Sequence, residues 1–229
     1  MFLAMCPTSI FAECSAVLVR IQATARVYDH PVGELAAFIL AGGKSSRMGR
    51  DKAFLDLDGR TLLDRALALA KNVTDDVRIV GEKTKLAGLE NVVEDLYPNC
   101  GPLGGIHAAL TSSTAELNLM LAVDMPFMEP RFLEYLISTA RQSQATVAVP
   151  RAGGGLQPLC AVYRLWFTEL AERALRAGRN KIDRLFPPAH TRVLEEDELK
   201  HAGFAVEMFR NVNTPADWEQ AKSAAHLKS

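Results

Sequence analysis

Phe38-Ile39-Leu40-Ala41-Gly42-Gly43-Lys44-Ser45-Ser46-Arg47-Met48-Gly49-Arg50-Asp51-Lys52-Ala53-Phe54-Leu55 is the stretch that decides the fold. An apolar run from Ala36 to Leu40 breaks into Gly42-Gly43, then small hydroxyls, then Arg47, Gly49 and Lys52. That order describes a buried strand, a loop whose bare backbone can approach an anion, and cations set to neutralise it. The implied guest is a nucleotide triphosphate. Spacing excludes two familiar phosphate loops. Gly43-Lys44-Ser45 imitates the end of a Walker A loop, but Phe38 stands where that motif needs its first glycine. The dinucleotide fingerprint G-x-G-x-x-G fails because Gly42-Gly43 runs into Lys44, Ser45 and Ser46.

Working outward, apolar runs alternate with helical patterns, which predicts an α/β fold with a mostly parallel sheet flanked by helices. Strands are expected at 36–40, 77–80, 91–93 and 117–123, the last apolar enough to be buried on both faces. A short extended piece at 54–57 turns at Asp58-Gly59, and a helix capped by Thr61 presents Leu62, Leu63, Ala66, Leu67 and Ala70. Further helices are expected at 130–142 and 166–177, the latter stopped by Gly178. Strands at 146–149 and 159–163 bracket a flexible Gly153-Gly154-Gly155 loop, and 191–194 is a late strand. Thr214-Pro215 opens the final helix as cap and first turn.

The 229 residues, 48% apolar and 23% charged, suit one α/β domain. A net charge of −1 leaves no electrostatic footprint for nucleic acid, so the nucleotide is expected as a small molecule. Cys6, Cys14, Cys100 and Cys160 show no metal-ligand spacing and read as reduced thiols of a cytoplasmic protein. Residues 1–20 are interrupted by Pro7, Glu13 and Arg20, too poor for a membrane span and without a signal-peptide n-region. The domain is therefore placed at 36–229, behind an accessory or poorly ordered extension at 1–35.

Asp124 ends the buried run 117–123, where open α/β sheets bind their ligands. A carboxylate there suits Mg²⁺ shared with phosphates, and equally suits a turn before Met125-Pro126. Phosphoryl-type transfer gathers negative charge, so Lys52 and Arg47 are candidates to stabilise it. Asp95 precedes Gly101-Pro102-Leu103-Gly104-Gly105-Ile106, where a carboxylate can brace its own loop. His107 reads as structural.

Leu40 to Ala53 resembles, with no departure, Leu-Ala-Gly-Gly-x-Ser-x-Arg-Met-Gly-x-Asp-Lys-Ala, the pattern of molybdenum cofactor guanylyltransferases. Gly101–Ile106, Gln157-Pro158-Leu159 and Asn211-Val212-Asn213-Thr214-Pro215 are similar to other segments of that family, so the resemblance spans about 36–222. It implies a three-layer Rossmann-like nucleotidyltransferase fold, a mostly parallel twisted sheet with helices on both faces. It implies Mg²⁺ held by Asp124, a nucleotide site at Leu40, Ala41, Gly42, Gly43, Lys52, Asp95 and Asp124, and catalytic work by Lys52, Arg47 and Asp124. Asn211 and Asn213 would face the second substrate. Some relatives carry an asparagine where this chain has Gly81, which removes one side-chain contact.

The implied reaction joins GTP to the terminal phosphate of molybdenum-molybdopterin, with pyrophosphate leaving. Implied partners are GTP and molybdenum-molybdopterin, with transient contact to other molybdenum cofactor biosynthesis proteins and recipient molybdoenzymes, and neither nucleic acid nor membrane. Rival readings are a cytidylyltransferase on molybdopterin or another phosphorylated small molecule, and a non-catalytic cofactor-binding chaperone.

Overall fold

The computed structural model describes residues 34–42 and 51–226. Its first strand, β1 (Leu35–Leu40), is buried throughout, and its side chains divide with a period of two. Leu35, Ala37 and Ile39 enter one core, Ala36, Phe38 and Leu40 the other. A strand covered on both faces belongs inside a sheet. Leu35, assigned to the extension from sequence, is the first residue of that strand.

After a 3-10 turn at Lys52–Phe54, β2 (Asp56–Leu57) and β3 (Arg60–Thr61) make a small antiparallel hairpin of their own. Helix α1 (Leu62–Lys71) follows, with Thr61 accepting from Asp64 N as its cap; it buries Leu62, Leu63, Ala66 and Ala70. Then come β4 (Val77–Val80), β5 (Val92–Val93), α2 (Pro102–Ser112), β6 (Leu117–Ala122), α3 (Pro130–Gln142), β7 (Val147–Ala152), β8 (Gly155–Leu156) and β9 (Cys160–Arg164). The chain finishes with α4 (Phe167–Arg176), β10 (Thr191–Leu194), α5 (Glu196–His201) and α6 (Pro215–His226).

Among the described residues, eight strands form the main sheet in the order β10-β7-β9-β6-β1-β4-β5, with β8 added to β7. β1 pairs in parallel with β4 and β6, and β4 with β5; β9 runs antiparallel between β6 and β7. Helices α1, α3, α5 and α6 supply side chains to the core on one face, α2 and α4 to the core on the other. This is the expected three-layer α/β architecture.

One local expectation changes. The glycine loop at 153–155 is a tight hairpin rather than an open loop, because Gly155 and Leu156 pair back onto Ala152 and Arg151. Gly153 and Gly154, at φ 58° and 80°, supply the left-handed turn that only glycine adopts cheaply.

Candidate active site

The register of the parallel strands builds the site. Ala122 pairs with Leu40, Leu40 with Val80, and Val80 with Val93, so these four residues form one row across the sheet. The segments that follow them emerge side by side: Val123-Asp124, Ala41-Gly42, Gly81 and Glu94-Asp95. The chain goes from β1 to β4 and β5, then returns to β6 on the far side of β1. Such a reversal opens a crevice at the carboxyl ends of the strands, where ligands of this architecture bind. Asp124 and Asp95 mark its two ends, separated by three inter-strand gaps, or about 14 Å.

At the Asp124 end the residues converge. Lys52 begins a 3-10 turn capped by Asp51, whose side chain accepts from Ala53 N. Ala53 is fully buried and anchors the turn. Lys52 Nζ lies 3.5 Å from Asp124 Oδ2 and donates to Asn213 Oδ1 at 2.6 Å. The Lys52 and Asp124 side chains are 18% and 20% exposed, shielded from water yet reachable. Burial raises the carboxyl of Asp124 above its usual range, and the Lys52 ammonium draws it partway back. Val212 N donates to Asp124 O at 2.9 Å, which lays the segment Asn211–Asn213 beside the carboxylate. A neighbouring buried atom, Asn211 Oδ1, has no hydrogen-bond partner.

At the other end, Asp95 Oδ1 accepts from Tyr97 N at 2.8 Å. Its carboxylate lies flat against the first turn of α2, because a Cβ on Gly104 would meet Oδ2 at 2.6 Å and Oδ1 at 2.7 Å. Burial raises the Asp95 carboxyl, and the Tyr97 N–H opposes that rise. His107, 5% exposed, stacks edge-on against Tyr97 with centroids 5.1 Å apart. Burial lowers its pKa, as suits a core imidazole. Between the two ends, a Cβ on Gly81 would stand 2.8 Å from Leu86 Cδ1 and 3.6 Å from Gly42 N. Bare backbone at 81 thus leaves room for Leu86, while the Ala41-Gly42 backbone lies at ordinary contact distance.

The structure therefore brings Lys52, Asp124, Asn211 and Asn213 together, lines up Leu40, Ala41 and Gly42 beside them, and sets Asp95 at the far end. Gly43 and Arg47 lie outside the described residues. Asp51 and Asp217 escaped the sequence reading. Asp51 was legible as a turn-capping type two residues before Ala53; Asp217 stands three residues after Thr214, the spacing of a capping box. Cys100 and Cys160 are free thiols, Cys160 buried and pushed up to about 12 by that burial, so it is no nucleophile.

The described residues hold no group of three or more His, Cys, Asp or Glu placed for a metal. A single carboxylate beside an anion cradle suits Mg²⁺, which takes one or two carboxylates and completes its shell with phosphates and water. No helix among them is long and apolar enough to cross a membrane.

Known proteins resemble this chain in sequence and in fold. The chain is 38% identical over 190 residues to a probable molybdenum cofactor guanylyltransferase of Pelotomaculum thermopropionicum, covering 82% of this chain and 91% of the relative. It is 35% identical over 193 residues to the molybdenum cofactor guanylyltransferase of Desulfosudis oleivorans, covering 83% and 95%. Its fold is similar to the crystal structure of molybdopterin-guanine dinucleotide biosynthesis protein A from Archaeoglobus fulgidus, with a TM-score of 0.73, 25% identity, and 84% and 99% of the two chains covered. A family model described as the MobA-like NTP transferase domain matches residues 37–193, from β1 through most of β10. With more than half its length in that match, and 38% identity to a relative over 82% of the chain, the chain belongs to the family of MobA-like NTP transferase domains.

Proposed function

We propose that this protein transfers GMP from GTP to the terminal phosphate of molybdenum-molybdopterin, releasing pyrophosphate. The observation that carries the reading is the row of carboxyl ends: Asp124 and Lys52 at one end, the Ala41-Gly42 backbone between, Asp95 at the other. That span matches an extended nucleoside triphosphate, phosphates toward Lys52 and base toward Asp95. The names of the relatives at 38% and 35% identity supply the choice of guanine and of pterin acceptor.

In this mechanism an oxygen of the acceptor's terminal phosphate attacks the α-phosphorus of GTP. A new P–O bond forms as the bond to the bridging oxygen breaks, and the electron pair leaves with pyrophosphate. No protein nucleophile takes part. Lys52, and Arg47 from the preceding loop, neutralise charge on the α-phosphate and leaving group. Mg²⁺ would be held by Asp124 and triphosphate oxygens, where it supplies positive charge that one lysine cannot match. Because an ammonium only donates, Asn213 must turn its carboxamide oxygen to Lys52. Its Nδ2 is then left to donate, as recognition of an acceptor phosphate requires, with Asn211 beside it. Gly43 is assigned to phosphate binding on its sequence motif, and the residues before β1 are accessory to the reaction.

The test is side-by-side turnover with GTP, CTP and ATP on molybdopterin, followed by pyrophosphate release. GTP is expected to lead; preference for CTP would sink the guanine assignment, and no turnover with any of them would sink the transferase. A chain starting at residue 33 is expected to keep the full-length kcat to within about twofold.

A further inference from the structure

Four hydrogen bonds link the first turn of α6 to the chemistry of the site. Asp217 Oδ2 accepts from Asn213 N at 3.0 Å and Thr214 N at 2.8 Å. Asp217 N donates back to Thr214 Oγ1 at 3.1 Å, closing a reciprocal cap. Asn213, its backbone so fixed, accepts from Lys52 Nζ at 2.6 Å. One residue earlier, Val212 is fully buried and holds Asp124 O through its N–H. The segment is therefore pinned on both sides of Asn213, by the core at 212 and by Asp217 at 213–214.

A cap alone does not need this arrangement. Capping by itself needs less: at the start of α1, Thr61 Oγ1 accepts from Asp64 N at 3.0 Å and donates to Asp64 Oδ2 at 2.6 Å, side chain to side chain. In α6 the carboxylate also takes the N–H of the residue before the cap, and that residue holds the lysine.

We propose that Asp217 is a positioning residue for nucleotidyl transfer: by fixing the backbone at Asn213 it sets where Lys52 Nζ rests beside Asp124. Lysine is a flexible stem with a point charge, so its contribution to the transition state depends on being held. Misplacement of a charged group by about an ångström costs up to about a hundredfold in rate. The inference rests on the proposed reaction for its kinetic arm only; the position of Lys52 is also readable without substrate.

The experiment compares Asp217→Ala, Asp217→Asn and Asp217→Glu with Thr61→Ala, a cap removal away from the latch, in the full-length protein. Lys52 is labelled with acetic anhydride and mapped by mass spectrometry, with the exposed Lys83 as internal reference. Asp217→Ala is expected to speed labelling of Lys52 by about fivefold relative to Lys83, and to lower kcat by about tenfold with GTP KM within about twofold. Asp217→Glu, the ordinary capping-box residue, should restore both; Asp217→Asn, keeping one acceptor oxygen, should fall between and serves if the alanine variant does not fold. Unchanged labelling and kcat in Asp217→Ala would overturn the proposal. So would an equal loss of kcat in Thr61→Ala at matched melting temperature. If wild type fails to turn over GTP while Asp217→Ala still frees Lys52, the latch stands and the reaction assigned to the site falls.

Discussion

Asp124 is a costly carboxylate for which the proposed reaction supplies a use. Its burial disfavours the charged form, and the Lys52 ammonium at 3.5 Å offsets only part of that penalty. Asp124→Asn removes the buried charge, so the apoprotein is expected to melt no lower than wild type. Turnover should fall about a hundredfold or more, and the melting shift produced by GTP with Mg²⁺ should vanish. A lower melting temperature with turnover intact would show that Asp124 is structural. Gly104 supports the opposite end. Its Cα lies so close to the Asp95 carboxylate that Gly104→Ala must displace one of them. The expected result is a GTP KM raised about tenfold with kcat changed less than about threefold, read by steady-state kinetics. Lys52, Asp95 and Asp124 were legible as candidates because their side chains are of types suited to the proposed chemistry. Asp51 and Asp217 escaped because each acts through short-range hydrogen bonds to backbone, a capping role whose residue type and spacing name no chemistry.

Elements were legible where burial imposes a period. The run at 36–40 and the helix predicted at 130–142 appear as β1 and α3, since an apolar run or an amphipathic stripe has one way to hide. Short elements held by turn geometry were not: α5 is six residues with one fully buried leucine, and β8 exists only because Gly153 and Gly154 reverse the chain. Helix α2 carries a pH signature. His107 is buried on it, and its imidazole sits below the ordinary value of 6.5 because burial disfavours the charged ring. Below that value the unfolded chain takes up a proton that the folded chain refuses. Stability should therefore fall as pH drops from about 6.5 toward the lowered folded value. His107→Phe keeps a ring against Tyr97 and abolishes this uptake. The decline in urea midpoint between about pH 7 and pH 5.5 is expected to be shallower in the variant; an identical slope would assign it to other groups.

Across the whole molecule, the two cores sandwich β1 and β6 most completely, and the site proposed for the transfer lies at their shared end. β5 stands differently. It is two residues long, half-buried, and paired to β4 alone at the border of the sheet. The sequence indicated this layout once the 117–123 run was read as central, but the ordering of strands came from the return of the chain across β1. The consequence is modularity. Under the proposed reaction, the bond-making end at Asp124 and Lys52 is embedded, whereas the end assigned to the base hangs from a border strand and the loop 94–101. Exchanging that loop for one from a pyrimidine-using relative is expected to shift the GTP-to-CTP preference by about tenfold or more while kcat for the favoured nucleotide stays within about threefold. Loss of kcat for both nucleotides in a folded exchange variant would refute it. A lineage with this layout is free to change its letter without relearning its reaction.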